Sequence, residues 1–171
     1  MAPNLYEMLN SIAESIPSLV TLAQVFSYLT GVTLIIGSLY KLRTYGDFRV
    51  MMFAGVDIKG PFGTIFFGTF LIWLPSTLTT VTATFFGVGE PIGYDEGSGG
   101  SIYDLGIEVA MQIIAFVGLV AFIRGFMIMS RLGQQNQQPG TFAKGLSHIV
   151  GGIMAYHIGP TVDVIRNTLA I

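Results

Sequence analysis

The chain has 171 residues, of which 51% are hydrophobic and 11% charged, with a formal net charge of −2. A soluble domain carries about 25% charged residues, so much of this surface must meet lipid or other protein. The charge argues against nucleic acid as a main partner, because phosphate binding needs a basic footprint, and the absence of cysteine excludes disulfides and thiolate-held metals.

A bilayer core about 30 Å thick needs about 20 apolar residues in a helix. Residues 1–15 hold Glu7 and Glu14 but no Lys or Arg. The basic start of a secretory signal is therefore missing, and the first apolar run is read as a retained membrane segment. That run covers 16–40 without a charge. The stretch KLRTYGDFRVMMFAGVDIKG follows, with Lys41, Arg43, Arg49 and Lys59. Its mix of cations, aromatics and methionines suits a membrane interface, and these four cations are candidate contacts to lipid headgroups.

The second apolar run, 61–88, is also uncharged. Pro75 should kink it, since proline removes a helix donor. Thr77, Thr79, Thr80, Thr82 and Thr84 follow. Hydroxyls that satisfy carbonyls of their own helix are the favoured reading over a polar pore lining. Next comes GVGEPIGYDEGSGGSIYD, which holds Glu90, Asp95, Glu96 and Asp104 and no cation. It lacks the ligand spacing of a calcium loop and the Lys-Ser/Thr of a phosphate cradle, so it reads as a solvated connection.

The third run, 107–129, holds Glu108 near one end and Arg124 toward the other. Arg124 lies about 7–8 Å from the end of the span. Its side chain is expected to snorkel to the headgroups; the alternative is a cation at a protein interface or an aqueous path. A polar linker, GQQNQQPG, leads to the fourth segment, 146–165. That segment is weaker because it holds His148, His157, Pro160 and Asp163, and it either spans or lies in the interface. Ser147, Gly151, Ala155 and Gly159 recur at a spacing of four. Such a small-residue face lets two backbones approach, whether the partner is a helix of the same chain or of a neighbouring subunit. His148 and His157 fall on opposite helix faces, so they read as ordinary hydrogen-bonded side chains rather than a metal pair. Asp163 and Arg166 can pair locally. No internal repeat stands out.

Arg131 and Lys144 join the four earlier cations in placing all basic loops on one side. The positive-inside rule puts that side in the cytoplasm, with both termini and the acidic loop opposite. The expected fold is all-α: one membrane domain, 1–171, with three to four hydrophobic helices, short basic cytoplasmic loops and an acidic Gly-rich outer loop. There is no nucleophile elbow, zinc motif or close carboxylate pair. An enzyme is not expected, and no catalytic, metal or cofactor-binding residue is assigned. Phospholipid enters as a structural ligand.

Three segments together resemble a known family: YKLRTYGDFRVMM, GPFGTIFFGTFLIWLPS and PGTFAKGLSHIVGGIMAYHIGPTVDVIRNTL. They are similar to the DotE/IcmC proteins of type IVB secretion systems, with TraQ-like proteins of IncI-type conjugative plasmids. Gly140, Thr141, Lys144, Gly145, His148, Gly151 and Gly152 form the most specific part. The resemblance implies the inner membrane of a Gram-negative bacterium and a structural role in moving DNA or protein between cells. It also implies other secretion-system membrane proteins as partners, alongside membrane lipid and copies of the same chain. A looser architectural likeness is to conjugative pilins, which polymerise with phospholipid into an extracellular pilus; Lys41, Arg43, Arg49 and Lys59 would then face lipid phosphates or the lumen. A small ion channel or transporter, using Arg124, the threonines and the histidines, is the competing class.

Overall fold

The computed structural model describes residues 4–50, 59–87, 102–132 and 139–169, and the elements among them are all helical. They are α1 (Leu5–Val50), α2 (Lys59–Ile72), α3 (Leu74–Phe86), α4 (Ile102–Met129), α5 (Thr141–Tyr156) and α6 (Ile158–Leu169). Helix is the outcome that lipid imposes, because each backbone donor must find its acceptor within the segment. At the start of α1 the Asn4 amide donates to the Glu7 carboxylate at 3.2 Å, which occupies one of the unsatisfied donors there. With 46 residues, α1 is about 69 Å long. It continues past the expected 16–40 segment at both ends.

Two helical stretches, 5–46 in α1 and 105–129 in α4, are long and apolar enough to cross a membrane. The chain is therefore a membrane protein by the length and composition of these helices. The pair α2–α3 would make a third span only as a bent unit, because its axes meet at 88°. This corrects the expectation of one kinked helix over 61–88. The break falls at Trp73, and α2 alone, with 14 residues, reaches only about 21 Å. The fourth segment is likewise two helices, divided at His157 rather than at the Gly159-Pro160 pair.

Contacts fix the helix directions. Ser27 Oγ donates to Leu71 O at 2.9 Å and Ser38 Oγ to Pro61 O at 2.6 Å, so α1 and α2 are antiparallel. Thr64 Oγ1 donates to Ser130 O at 2.8 Å, and Phe70 stacks on Phe126 with centroids 5.4 Å apart, so α2 and α4 are antiparallel. Gly118 lies against Gly152, and Gly125 against Gly145, so α4 and α5 are antiparallel. It follows that α1 and α4 run one way and α2 and α5 the other. Leu71, Leu74, Leu119 and Phe122 fill the centre where these helices meet.

The two halves share one plan, contrary to the sequence expectation of no repeat. Each is a long helix followed by a broken one. Gly31 and Gly68 make the close approach in the first half, and Gly118 and Gly152 make it in the second. The long helices correspond at an offset of 87 residues (Gly31 to Gly118) and the broken helices at 84 (Gly68 to Gly152). Since α1 is parallel to α4, this is a parallel repeat of two hairpins.

Candidate functional site

The shared direction of α1 and α4 brings their C-terminal ends to one end of the bundle, where α2 and α5 begin. Lys41 and Arg43 are exposed near the end of α1, Lys59 opens α2, Arg131 follows α4, and Lys144 sits in the first turn of α5. Arg49 lies in the last turn of α1, and its side chain is outside the described residues, as are residues 51–58. Glu7, Glu14 and Glu108 fall toward the opposite end, where the Glu108 carboxylate accepts from Gln112 Nε2 at 3.2 Å. Glu90, Asp95 and Glu96 lie outside the described residues. Lys41, Arg43, Lys59, Arg131 and Lys144 thus lie toward one end of the bundle and Glu7, Glu14 and Glu108 toward the other, with Arg166 apart from both groups in α6.

The helix breaks are built alike. Trp73 has φ −96° and ψ 38°, and His157 has φ −110° and ψ 56°, both outside the helical well. Pro75 and Pro160 lie two and three residues on and cannot donate to the preceding turn. In each case a threonine four residues past the break covers the carbonyls. Thr77 Oγ1 donates to Trp73 O at 2.9 Å and to Phe70 O at 3.3 Å. Thr161 Oγ1 donates to His157 O at 2.7 Å and to Met154 O at 2.8 Å. Trp73 O and His157 O also accept the Thr77 and Thr161 amides, so the hydroxyls matter most for Phe70 O and Met154 O, which lie across each break. Thr79, Thr80, Thr82 and Thr84 also donate to carbonyls of α3. The cluster therefore satisfies itself without a water path.

The histidines do not meet. His148 is half-buried, with Nδ1 at 2.8 Å from Lys144 O. His157 is buried, and its ring lies parallel to Phe86 at 5.5 Å and beside Tyr156 at 5.1 Å. The imidazole thus packs the end of α3 against the α5–α6 junction. Among the described residues no three His, Asp or Glu side chains gather as a metal site. The Asp163 side chain, expected to pair with Arg166, is outside the described ones.

The small residues of α5 divide between two rows. Gly145 and Gly152 face α4. A Cβ on Gly152 would meet Phe122 N at 2.7 Å and Gly118 O at 2.8 Å, and one on Gly145 would meet the Met129 side chain at 2.8 Å. The row picked out from sequence sits elsewhere. Ser147 and Gly151 are exposed, Ala155 is half-buried beside Gly118, and a Cβ on Gly151 or Gly159 would meet nothing within 4 Å. Sequence reasoning passed over the residues that seal α4 to α5. Their signal was the matching spacing of seven on both helices, Gly118 to Gly125 and Gly145 to Gly152.

No family model, curated protein or solved structure matches the chain.

Proposed function

We propose that the chain is a structural membrane subunit of a type IVB secretion or conjugation apparatus in a bacterial inner membrane. The observation that carries the structural role is the contrast on α5. One small-residue row is filled by α4, while Ser147 and Gly151 on the neighbouring row stay open. An open row of this kind suits a helix from another subunit, since small residues let backbones approach in lipid. The resemblance of the segment around Lys144–Gly152 to the DotE/IcmC family supplies the apparatus. Among the described residues no three His, Asp or Glu side chains gather to hold a metal, and the threonines that would line a channel are used on their own helix. The basic end faces the cytoplasm by the positive-inside rule.

Deleting the gene should abolish DNA or protein transfer without changing growth; normal transfer in a clean deletion overturns the reading. Gly151→Leu sharpens the test. It should leave the isolated protein folded and block transfer, and normal transfer would remove the open row from the argument.

A second reading, a pilin-like subunit that polymerises with phospholipid, is favoured by α1. At about 69 Å it exceeds one bilayer core more than twofold, yet Leu22, Phe26, Leu29 and Tyr40 along it are exposed. Such a helix needs partners beyond one bilayer leaflet pair. Mass spectrometry of sheared filaments decides: filaments lacking the chain exclude this version and leave the fixed subunit.

A further inference from the structure

A groove of about 540 Å³ opens between α1 and α4 toward the basic end. That is within the range of small-ligand sites, about 300–1,000 Å³. Its walls are apolar: Leu22, Ala23 and Phe26 from α1 face Phe116, Val120 and Ile123 from α4. Three cations line the same groove, Arg124 and Arg131 from the α4 side and Lys144 from the start of α5, and among the described residues no carboxylate does. All three are exposed. Arg124 lies in the last third of α4, and Arg131 lies in the turn that follows Met129, so both belong to the end of the groove nearest the start of α5. Phe116 lies about 12 Å deeper than Arg124 by the helical rise.

This gradient has a chemical meaning. A guanidinium about one and a half turns inside an apolar helix is unfavourable unless it reaches the headgroups or receives an anion. Here it opens into a groove that is cationic at the mouth and apolar beyond. We propose that the groove binds one anionic phospholipid, with its phosphate among Arg124, Arg131 and Lys144 and an acyl chain along the α1–α4 walls. Arginine suits the phosphate because its fork donates two parallel hydrogen bonds. A zwitterionic lipid would also bring its ammonium against these three cations, which repel it. A soluble phosphate would leave the apolar walls unoccupied. The site differs from the Lys41–Lys59 loop, and it does not depend on which apparatus the chain serves.

The test is native mass spectrometry of the full-length protein in detergent, titrated with phosphatidylglycerol and with phosphatidylcholine. One phosphatidylglycerol should be retained, at least about tenfold more tightly than phosphatidylcholine. A juxtamembrane cation contributes about fivefold in lipid binding, so Arg131→Gln and Lys144→Gln should each weaken retention by about that factor. Both residues are exposed near helix ends, so these variants keep the test alive if Arg124→Gln fails to fold. Arg166→Gln, which removes an exposed cation outside the groove lining, should leave retention unchanged. Equal retention of the two lipids overturns the proposal. So does an equal loss in the Arg166 variant, which would make the effect one of overall charge. Displacement of the lipid by millimolar inorganic phosphate would also overturn it, because the site would then be read by soluble anions.

Discussion

In the α1–α2 hairpin the seam is crossed by hydroxyls, from Ser27 to Leu71 O and from Ser38 to Pro61 O, on either side of one glycine pair, Gly31 and Gly68. In the α4–α5 hairpin the equivalent levels are glycine on both helices: Gly118 with Gly152, and Gly125 with Gly145. Position 125 is where an offset of 87 places Ser38, so a hydroxyl in one half stands where the other has no side chain. Lipid gives helices no hydrophobic reason to associate, which leaves close packing and hydrogen bonds. The two hairpins use these two means in different proportion. The second should be intolerant of added volume, and the first should lose a little with each donor removed.

The largest effect is expected at Gly152. A side chain there meets the backbone of Phe122 and Gly118, which cannot rotate away. Gly152→Leu should cost about 3 kcal/mol or more, above the usual range for overpacking, or separate α4 from α5 outright. Gly151→Leu, one residue earlier and facing open space, should change stability by less than about 0.5 kcal/mol. Unfolding of both variants in mixed detergent, followed by circular dichroism, checks the pair. Equal losses would mean that α5 is rotated from the orientation described here.

Gly31→Ala tests the same device in the first half and should cost about 1–3 kcal/mol. A Cβ there meets Gly68 O at 2.7 Å and the Ile72 side chain at 2.9 Å. The side chain can give, whereas the nearest atoms around Gly118 are all backbone. Gly118→Ala should therefore exceed Gly31→Ala in the same unfolding assay. A reversed order would break the contrast between the hairpins.

These residues also mark where the sequence was readable. The apolar runs 16–40 and 107–129 announce membrane helices, and the positions of Lys41, Arg131 and Lys144 announce a common end. Donation by the threonines to their own helix follows from their place after a proline. The 88° turn was not readable, because a proline at 75 implies a kink without stating its size, and the non-helical residue is Trp73. The repeat was hidden for a related reason. At the offset of 84, only Ile65, Gly68, Thr77 and Thr84 recur in the broken helices. What recurs is geometry, a close glycine and a threonine cap, and different neighbours supply the rest. The choice between the two small-residue rows of α5 depended on Gly118 and Gly125, which lie on another helix.

The threonine caps should come next in size. Thr161→Val keeps the shape, and His157 O keeps the residue-161 amide, but Met154 O is stripped of its hydroxyl donor, which costs about 1–3 kcal/mol. Thr77→Val should cost less, because Thr77 is only half-buried and its bond to Phe70 O is longer, at 3.3 Å. Hydrogen exchange at the residues flanking each break reads the local effect. Faster exchange around residue 157 in the first variant and around 73 in the second is expected. Equal protection in both would show that the prolines alone hold the breaks.

The smallest effect is expected at Ser38. Ser38→Ala removes a donor that crosses from α1 to Pro61 O at 2.6 Å. Interhelical hydrogen bonds in membranes average about 0.6 kcal/mol and reach about 1.7. The carbonyl left behind sits in the first turn of α2, where the helix ladder can still supply a donor. The loss should therefore stay near the average, whereas Ser27→Ala should cost more, because Leu71 O lies one turn before Pro75, which has no N–H to donate. The decisive comparison is the pair in two backgrounds, with Gly31 intact and with Gly31→Ala. If the serine bonds share the seam with the glycine pair, their loss should cost more once the close approach is weakened. Simple additivity would mean that each serine acts alone. A loss of zero in both backgrounds would mean that Gly31 and Gly68 hold the first hairpin by packing, as the glycines hold the second, and that the two halves differ in sequence but not in mechanism.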